Sequence, residues 1–537
     1  MKTNHPSIMD QFSPSKSLTT SILFILSTTF FLYTLIQKIL LSNQRRKFAM
    51  QNHCLPPASY PHKDPFYGLD LFVSNVLAAR EGKFIETTQK RFQSLGVNTY
   101  SSIFLGTNTI NTIDAENIKT VLATGFKDFE LSSRRKTAMM PIFGKGIFIL
   151  DGTEWEHSRA MLRPNFVRSQ VADLDVFERH IQKLIKRIPE NGNTVDLSKL
   201  FFMLTIDSAT EFLFGESTDT LDETKVDSPG HRYSEAYDYV SSNPKSLSAP
   251  LLPVMLHKKP QDTDQQSVGK LATLFPNKKY QDSIKYVHSY VRTYVDKALA
   301  LQISAPSQKS ESTDQDRYIF LEQLAKSGYS ASKIQAELLN ILLAGRDTTA
   351  SLLTILFMIL SREQNVLEKL RKEVMGLEGR SPTFEEIKDM KYLKWCINET
   401  MRLYPIVPTS SRVAIRDTVL PRGGGPDERS PTMVKKGTLV QYSSYGLHRR
   451  KDIYGEDADE FRPERWEKLR AGWEYIAFSG GPRICIGQQF ALTEASYTTI
   501  RILQAFSRME ARDQNPFTEW LTLTMSNKWG CKVGLFK

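Results

Sequence analysis

The chain has 537 residues and carries 70 basic against 59 acidic side chains, a net charge of +11. Four cysteines without paired spacing exclude a readable disulfide framework or zinc site, and they are typical of a protein in a reducing, cytosolic environment. The positive charge fits either an ordinary basic surface or a patch for an acidic partner or anionic lipid headgroups, whereas no motif supports nucleic-acid binding.

The N-terminal region, residues 1–47, contains a long uncharged run. Leu18–Gln37 has 20 residues without a charge, and at ~1.5 Å per residue a helix of that length spans about 30 Å, enough to cross a bilayer. The basic cluster Arg45–Lys47 follows, so the positive-inside rule places the C-terminal side in the cytosol. A cleaved signal peptide fits less well, because the run is long, Lys38 follows it and no small-residue cleavage site precedes the basic cluster. We therefore predict a single transmembrane anchor at 18–41.

A proline-rich stretch, residues 48–66, comes next and predicts a stiff hinge before one large globular unit at 67–537. Helical periods dominate this unit, and short strand-like pieces occur near Tyr100–Leu105, Asn108–Ile113 and Thr438–Tyr442. No internal repeat or long disordered linker divides the unit. We expect a mainly α fold with small β-sheets.

Trp155 and Arg159 form a pair at helical spacing. They lie four residues apart, so one helix face carries both side chains. The plainer interpretation of the pair is a tryptophan packed in the core beside a solvated arginine.

A long apolar helix is predicted from the capping box Ser332-x-x-Gln335 to about Leu360. It is hydrophobic nearly all round, so we expect it to be central and buried. Its middle contains the sequence AGRDTT, Ala344–Thr349, in which Gly costs about 1 kcal/mol relative to Ala and Thr is also a poor helix former. A buried helix that keeps such residues usually opens locally for a ligand, and we expect an opening here. A kink with a surface aspartate is the alternative.

Glu399 and Arg402 are three residues apart on a predicted helix that must end before Pro405, so they also share one face. Such pairs are common on helix surfaces, where each contributes a few tenths of a kcal/mol. The spacing alone therefore indicates a helix and no particular chemistry.

The sequence FSGGPRICIG, Phe478–Gly487, holds a cysteine inside a glycine-framed loop. A thiolate that ligates a haem iron needs an open loop, small neighbouring side chains and free backbone N–H groups near the sulfur, and Cys485 has such neighbours. Arg483 supplies a cation that can offset a haem propionate. Thiolate ligation favours O–O cleavage, so the pattern indicates oxygen-activating chemistry. A buried structural cysteine in a glycine-rich turn is the alternative.

In these motifs the sequence resembles the cytochrome P-450 superfamily, and the resemblance covers nearly the whole chain after residue 60. The loop around Cys485, ETMR at Glu399–Arg402, FRPERW at Phe461–Trp466 and AGRDTT follow the order and spacing of the superfamily's motifs. Longer stretches such as GKGIFILDGTEWEHSRAMLRPNF and HRRKDIYGEDADEFRPERW are similar to fungal family 52, whose members hydroxylate alkanes and fatty acids. The resemblance implies the P-450 fold and a haem-thiolate monooxygenase domain at 67–537.

The resemblance assigns residues to the haem site. Cys485 is implied to be the axial ligand of the iron of haem b, in a loop framed by Phe478 and Gly487. Arginine suits the two haem propionates, because its planar fork binds a carboxylate through two hydrogen bonds. His448 could also reach a propionate, but we interpret it as a loop histidine. The side chains implied to hold the propionates are Trp155, Arg159, Arg412 and Arg483.

Two further sets of residues follow from the resemblance. Thr348 is implied to hydrogen-bond dioxygen, while Asp347 relays the protons that drive cleavage of the O–O bond. The pair Glu399 and Arg402 is implied to be buried and to lock onto Arg465 of the PERW sequence. We expect this second set to act in folding the haem pocket and not in catalysis.

The expected partners follow partly from a missing motif. The sequence has no G-x-G-x-x-G unit between a strand and a helix, so no NADPH or flavin domain is fused to it. Electrons are therefore expected from NADPH through a separate NADPH–cytochrome P-450 reductase, with cytochrome b5 as a second donor. The anchor and the resemblance imply a single-pass protein of the endoplasmic reticulum membrane, with a cytosolic catalytic domain and a hydrophobic small-molecule substrate.

The resemblance implies insertion of one oxygen atom from O2 into an unactivated C–H bond, at the terminal carbon of a long alkyl or fatty acyl chain. Between about Val240 and Leu274, the expected lid over the substrate entrance, the sequence departs from family 52. Oxidation of an alkyl or methyl group of a polyketide- or terpenoid-type fungal secondary metabolite is therefore an alternative. A haem-thiolate isomerase or dehydratase and a haem-based sensor or ligand carrier are others, but the pair Asp347 and Thr348 argues against them, because neither needs a proton relay.

Overall fold

A computed structural model describes residues 16–166, 173–242, 278–304 and 319–537. Helices dominate these ranges and the β-sheets are small, so the expected fold class is confirmed. The α-helices are α1 Lys16–Gln51, α2 Leu69–Glu81, α3 Phe84–Leu95, α4 Ala115–Lys119, α5 Ser133–Phe143, α6 Gly152–Leu162, α7 Leu174–Lys186, α8 Leu197–Phe214, α9 Pro229–Ser242, α10 Lys278–Ser304, α11 Phe320–Ala325, α12 Ala331–Arg362, α13 Gln364–Met375, α14 Phe384–Asp389, α15 Lys391–Leu403, α16 Ser444–Leu447, α17 Lys451–Tyr454, α18 Arg465–Lys468 and α19 Gln488–Ala505.

The β-strands and short turns complete the described secondary structure. The strands are β1 Ala58–Ser59, β2 Thr99–Phe104, β3 Thr107–Thr112, β4 Phe129–Glu130, β5 Asn191–Asp196, β6 Thr409–Ala414, β7 Thr418–Gly424, β8 Ser430–Val434, β9 Leu439–Ser443, β10 Arg508–Ala511, β11 Glu519–Leu521, β12 Met525–Asn527 and β13 Lys532–Phe536. A π-helical turn spans Thr120–Thr124, and 3-10 turns span Phe126–Asp128, Arg163–Phe166, Glu223–Lys225 and Gly481–Arg483.

The largest sheet has six strands in the order β1-β2-β3-β9-β6-β4. β2 runs antiparallel to β3 and β9 runs parallel to it, so Ile110 lies beside both Ser101 and Val440. β2, β3 and β9 correspond to the three strand-like pieces of the sequence and confirm them to within one residue at each end. The antiparallel pairing of β6 with β9 fixes the strand that carries Arg412.

The central helix is α12, which packs along α8 and against α15 and α19. The rings of Phe201 on α8 and Phe357 on α12 lie 5.2 Å apart in the largest apolar cluster. Nearly every side chain from Ile334 to Ser361 is buried, as expected for a helix that is apolar on all sides. The AGRDTT sequence therefore lies at the middle of the domain.

The predicted capping box of α12 is wrong. The helix begins two residues earlier, and Ser330 is the N-cap, because its hydroxyl accepts a hydrogen bond from the backbone N–H of Lys333 at 3.3 Å. The side chain of Gln335 does not reach back to the cap but donates to the carbonyl of His288 on α10, 3.1 Å away. The side chain of Gln335 thus forms a tertiary hydrogen bond to α10 instead of the capping bond that the local pattern predicted.

Two described helices are long and apolar enough to cross a membrane, the segment Leu23–Gln51 of α1 and the whole of α12. α12 is buried in the domain core, whereas the segment of α1 is exposed along its length. α1 also continues as a helix into the predicted hinge at 48–66. Only α1 is therefore available to act as the predicted anchor.

The end of α1 is attached to the globular domain. Arg45 binds Asp417 through two hydrogen bonds of 3.0 and 3.1 Å. The N–H of Leu55 donates to the carbonyl of Pro431 at 2.9 Å, and Pro57 forms a β-bridge with Gly424. The hinge thus lies along the β7–β8 hairpin.

The expected lid falls mostly outside the described residues. Val240 is buried near the end of α9, at the start of the divergent segment. Residues 243–277, which make up the remainder of the segment, lie outside the described ranges.

Candidate functional site

The loop around Cys485 is held by its own backbone. The N–H of Cys485 donates to the carbonyl of Phe478 at 3.1 Å, and the N–H of Ile484 donates to the carbonyl of Gly481 at 3.0 Å. Gly481 has φ +65, and a Cβ atom there would lie 1.9 Å from the carbonyl oxygen of Leu122. Only glycine fits this close approach between the loop and the π-helical turn.

The sulfur of Cys485 lies where the loop meets the start of α19. The residue is exposed, whereas Cys396 and Cys531 are buried. Protein atoms surround the thiol on its other sides, and this burial raises its pKa, while a hydrogen bond from the N–H of Gly487 and the charge of Arg159 lower the pKa. Cys485 is therefore accessible and has a backbone donor and a cation beside it, as a metal-binding thiolate requires.

Three arginines form a cluster that the sequence showed only in part. Arg412 on β6 and Arg483 in the cysteine loop were predicted, and the structure adds Arg135 on α5. Burial lowers the pKa of Arg135 and of Arg483 to about 10, and the charge of Arg412 acts in the same direction on both. Each of the three guanidinium groups therefore lies within range of the charge of the other two.

The arginine cluster carries an uncompensated positive charge. Asp151 accepts a hydrogen bond of 2.6 Å from Arg483 and is also bound by Lys136 at 2.8 Å. Arg412 donates one hydrogen bond to the carbonyl of Ser411, 2.8 Å away. The Nε atom of Arg135 is buried without an acceptor in the described part of the chain. A buried donor of this kind needs an acceptor, and beside several cations a carboxylate such as a haem propionate would supply both the acceptor and the opposite charge.

Trp155 and Arg159 lie on one face of α6, as their spacing predicted, and both contact the cysteine loop. The buried ring of Trp155 lies 4.4 Å from the guanidinium carbon of Arg483. Arg159 donates to the carbonyl of Ile484 at 3.0 Å. Trp155 therefore supports the arginine cluster, whereas Arg159 reaches the loop beside Cys485.

The residues fit a thiolate-ligated haem. An exposed cysteine with an N–H donor stands on one side, and a cluster of one buried and two half-buried arginines with an unused donor stands nearby. A haem bound through sulfur and two carboxylates needs both features. The described residues contain no cluster of three or more His, Cys, Asp and Glu side chains that would hold a metal ion without a macrocycle.

The AGRDTT sequence lies in an unbroken α-helix, so the expected local opening is wrong for this structure. The hydroxyl of Thr348 donates a hydrogen bond to the carbonyl of Ala344 at 2.6 Å, so this backbone carbonyl has a side-chain donor. Helix propensity was a poor guide here, because packing on every side of α12 outweighs the preferences of Gly345 and Thr348.

Asp347 is buried beside a cation that sequence reasoning had passed over. The Nη1 atom of Arg346 lies 2.7 Å from Oδ1 of Asp347, and the same guanidinium also binds Asp238 on α9. Burial raises the pKa of Asp347, and the charge and hydrogen bond of Arg346 oppose this rise. Arg346 therefore keeps the pKa of Asp347 lower than burial alone would make it.

Glu399 and Arg402 form a fully buried ion pair with two bonds of 2.9 Å. Arg402 also donates to the carbonyls of His448 and Ala458, 2.7 and 2.6 Å away. Arg465 donates to Glu399 at 3.3 Å. The structure thus places the two predicted partners and Arg465 in one network that ties α15 to the segment before the cysteine loop.

His448 belongs to the same buried region. Its Nε2 atom accepts a hydrogen bond of 2.9 Å from the N–H of Ile476, and its Nδ1 atom faces the carbonyl of Arg402. Burial, followed by the charge of Arg402, lowers the pKa of His448 to about 3. A neutral imidazole with both nitrogens in use cannot also serve a propionate.

Comparison with known proteins finds a matching family model, similar proteins and a similar solved structure. A family model described as Cytochrome P-450 matches residues 65–530. The chain is 43% identical over 505 residues to cytochrome P-450 monooxygenase himC of Aspergillus japonicus, covering 93% of this chain and 87% of that protein. It is 41% identical over 506 residues to cytochrome P-450 52A13 of Debaryomyces hansenii, covering 91% and 93%. The crystal structure of the cytochrome P-450DA heme domain is similar with TM-score 0.72 and 20% identity, covering 90% of this chain and 98% of that one.

Proposed function

Since the chain belongs to the cytochrome P-450 family and is a monooxygenase of that family, we propose that it inserts oxygen at an unactivated C–H bond near the end of a long alkyl or fatty acyl chain. The observation that carries the substrate class is the 41% identity to a protein of the 52A group over 91% of this chain. Family 52 is the group of alkane and fatty-acid hydroxylases to which the sequence motifs were similar.

Haem b, when bound, supplies the activation of dioxygen and the oxidising power for attack on a C–H bond. Cys485 would hold its iron, and Arg135, Arg412 and Arg483 would neutralise its propionates. Trp155 would keep Arg483 in place through the contact of its ring with the guanidinium group. Arg159, bound to the carbonyl of Ile484, would stabilise the loop and the negative charge on the sulfur.

Asp347 and Thr348 would supply protons to the reaction. Asp347 holds a proton more readily than an exposed aspartate, because burial raises its pKa. The hydroxyl of Thr348 can both accept and donate, and it lies next to Asp347 in the chain. Asp347 would pass a proton to the hydroxyl of Thr348, which would hold it for the reaction.

Apolar side chains near the start of β6 could select the end of a chain. The β11–β12 hairpin packs on α12, and the N–H of Met525 donates to the carbonyl of Ile406 at 2.8 Å. Val407 is exposed between buried neighbours, and Leu523 at the hairpin tip packs against the apolar cluster of α12. A tenfold preference for a terminal carbon needs about 1.4 kcal/mol, which a narrow channel can supply by position.

The electron donor and the location extend the proposal. Electrons would come from NADPH through NADPH–cytochrome P-450 reductase, with cytochrome b5 as a second donor. The exposed segment of α1 would cross the endoplasmic reticulum membrane and leave the catalytic domain in the cytosol.

The second candidate is oxidation of an alkyl or methyl group of a fungal secondary metabolite. The chain is also 43% identical to the himC protein, whose name does not place it in family 52, so a substrate other than an alkane or fatty acid is retained as the second candidate. The divergent segment after Val240 lies in the expected lid, where substrate choice is set. Both candidates use the same haem site and differ only in the shape of the substrate.

The test is to reconstitute the enzyme with reductase and offer saturated fatty acids and alkanes of graded length, locating the oxygen in each product by mass spectrometry. We expect terminal alcohols, with further oxidation to the acid. Val407→Phe should shift the preferred chain length, whereas Ile415→Phe, at another exposed apolar position, should not. Internal alcohols, or turnover of compact ring systems alone, would contradict the alkyl-chain proposal and leave the haem assignment intact.

A further inference from the structure

Two buried polar residues of α12 hold the loop between α5 and α6. The side-chain amide of Asn340 donates to the carbonyl of Phe143 at 2.9 Å, and its oxygen accepts a hydrogen bond of 3.2 Å from the N–H of Phe148. One turn earlier on the helix, Oε2 of Glu337 accepts the N–H of Ile147 at 3.0 Å. Both side chains are fully buried. Because a buried backbone group needs a partner, the conformation of the α5–α6 loop depends on these two side chains.

The face of α12 that meets the loop is polar, although the helix is apolar nearly all round. Lys333, Glu337 and Asn340 stand four and three residues apart, so they share this face. The Nζ atom of Lys333 lies 2.8 Å from Glu337 and donates to the carbonyl of Lys145 in the loop at 3.2 Å. The three polar side chains of a buried helix thus all serve the same loop.

The loop is shaped to admit Asn340. Gly144 has φ +60, in the left-handed region that favours glycine. At Gly146 a Cβ atom would lie 2.1 Å from Nδ2 of Asn340, so a side chain there would displace the amide. The absence of a side chain at Gly146 and the amide of Asn340 therefore form one fitted contact.

The two ends of the loop lead to two members of the arginine cluster. α5, whose last carbonyl Asn340 binds, carries Arg135. At the other end, the carbonyl of Leu150 accepts a hydrogen bond of 2.7 Å from Arg483, and Asp151 accepts one of 2.6 Å from the same guanidinium group. A shift of the loop would therefore move both the helix that carries Arg135 and the acceptors that hold Arg483.

We propose that Asn340 and Glu337 are positioning residues for haem binding, which hold the α5–α6 loop so that Arg135 and Arg483 converge on the propionates. The inference rests on the proposed role of the arginine cluster and deepens it. The two α12 residues act through the backbone of the loop and need no contact with haem. The arginines supply the charge, and Asn340 and Glu337 determine where that charge stands.

The test measures how fast haem passes from the full-length holoprotein to apomyoglobin, for Asn340→Ala, Arg135→Gln and the double variant. Asn340→Ala should speed the transfer about two- to tenfold, the range that one neutral hydrogen bond supplies. In the Arg135→Gln background its effect should be smaller, because two changes that act through one contact are not additive. Thr354→Ala alters another fully buried polar residue of α12 and is the matched control, for which we expect an unchanged rate.

Gly146→Ala tests the same contact from the side of the loop. It should speed haem transfer as Asn340→Ala does, and the two changes together should be no worse than either alone, because removal of the amide makes room for the methyl group. Hydrogen exchange at the N–H groups of Ile147 and Phe148 should increase in both single variants. Glu337→Gln keeps an acceptor oxygen for Ile147 and should retain haem better than Glu337→Ala.

The outcomes separate this inference from the proposed function. If Arg135→Gln speeds haem transfer and Asn340→Ala does not, the propionate site stands and the positioning role is refuted. An effect of Asn340→Ala that is equally large in the Arg135→Gln background would mean that Asn340 acts by another route, and would also overturn the inference. If Arg135→Gln itself has no effect, the proposed propionate site is refuted and the inference fails with it.

Discussion

The hydroxyl of Thr348 donates a hydrogen bond to the carbonyl of Ala344, 2.6 Å away, and so stays in contact with its own helix. Thr354 makes the same bond to Ala350 at 2.7 Å further along α12. The two threonines share one local geometry, but only Thr348 adjoins Asp347, whereas Thr354 is buried beside Ser198. A substitution at Thr354 therefore reports on helix packing alone.

Thr348→Ala should uncouple NADPH oxidation from product formation. Without the hydroxyl, protons reach the reacting oxygen less selectively, and reducing equivalents should leave as hydrogen peroxide. We expect NADPH oxidation to continue while product per NADPH falls about tenfold, equivalent to about 1.4 kcal/mol of lost selectivity. Peroxide and product are measured together, with Thr354→Ala as the control. Equal coupling in the two variants would remove Thr348 from the mechanism.

Cys485→Ala should abolish haem–thiolate ligation. The change removes the sulfur and leaves the loop backbone, whose hydrogen bonds do not involve the side chain. We expect haem-poor protein whose reduced carbon monoxide complex lacks the absorbance typical of thiolate ligation. Cys54→Ala, which alters the half-buried cysteine after α1, should leave the spectrum unchanged. Survival of the thiolate-type spectrum in Cys485→Ala would show that another residue is the axial ligand.

Arg135→Gln should weaken the retention of haem. The variant removes a half-buried cation whose Nε atom is buried without an acceptor in the described chain, and with it the charged hydrogen bond proposed for a propionate. Such a bond contributes about 1.5–3 kcal/mol, so haem should transfer to apomyoglobin at least about tenfold faster. Arg134→Gln changes the exposed neighbour and is the control. Equal transfer rates would place Arg135 outside the propionate site.

Glu399→Gln should destabilise the folded domain severely. Two buried arginines, Arg402 and Arg465, would lose their shared carboxylate, and breaking a buried pair typically costs about 3–5 kcal/mol. We expect little haem-bearing protein and a much lower thermal midpoint. Asp296→Asn, which breaks the exposed pair with Arg292, should cost at most about 0.5 kcal/mol. Similar midpoints for the two variants would mean that the buried network is not needed for folding.

Glu494→Gln should stabilise the protein progressively as pH rises. Burial on α19 raises the pKa of Glu494 from 4.5 to about 8, against a hydrogen bond donated by Ser208. Between these two values the unfolded chain releases the proton and the folded chain keeps it, so stability falls as pH increases. Glutamine does not titrate, so the Glu494→Gln variant does not lose stability in this way.

The gain in the free energy of unfolding of Glu494→Gln over the natural protein should grow to roughly 2–4 kcal/mol by pH 8. Thermal midpoints measured from pH 5 to pH 8 test this, with the exposed Glu368→Gln of α13 as the control. A difference that stays constant across this range would mean that Glu494 is not protonated in the folded protein.

The parts of the site that could be predicted are those encoded by local spacing. The glycines around Cys485 are needed because the loop passes within contact distance of Leu122, and that constraint leaves a readable pattern. The pair Glu399 and Arg402 could be predicted because its two residues are three positions apart on one helix. Arg135 left no such pattern, since its neighbours Arg412 and Arg483 come from distant parts of the chain.

Two wrong predictions on α12 and one contact that was not predicted have tertiary causes. The α12 cap was predicted at Ser332, whereas the structure places it at Ser330, and Gln335, which the predicted capping box required, binds a carbonyl of α10. The contact of Arg346 with Asp238 joins residues 108 positions apart, and no spacing rule covers such a distance. Packing around α12 likewise kept the AGRDTT sequence helical, against the local preference of its residues.

The bond between Arg45 and Asp417 has a consequence for how the molecule meets its partners. With α1 in a bilayer, this bond and the β-bridge from Pro57 to Gly424 would restrict the rotation of the catalytic domain relative to the membrane. The domain would therefore not rotate freely but would diffuse laterally with the same face toward the lipid. Encounters with an electron donor in the same membrane would then start from a restricted set of orientations, and a larger share of them would lead to a productive complex.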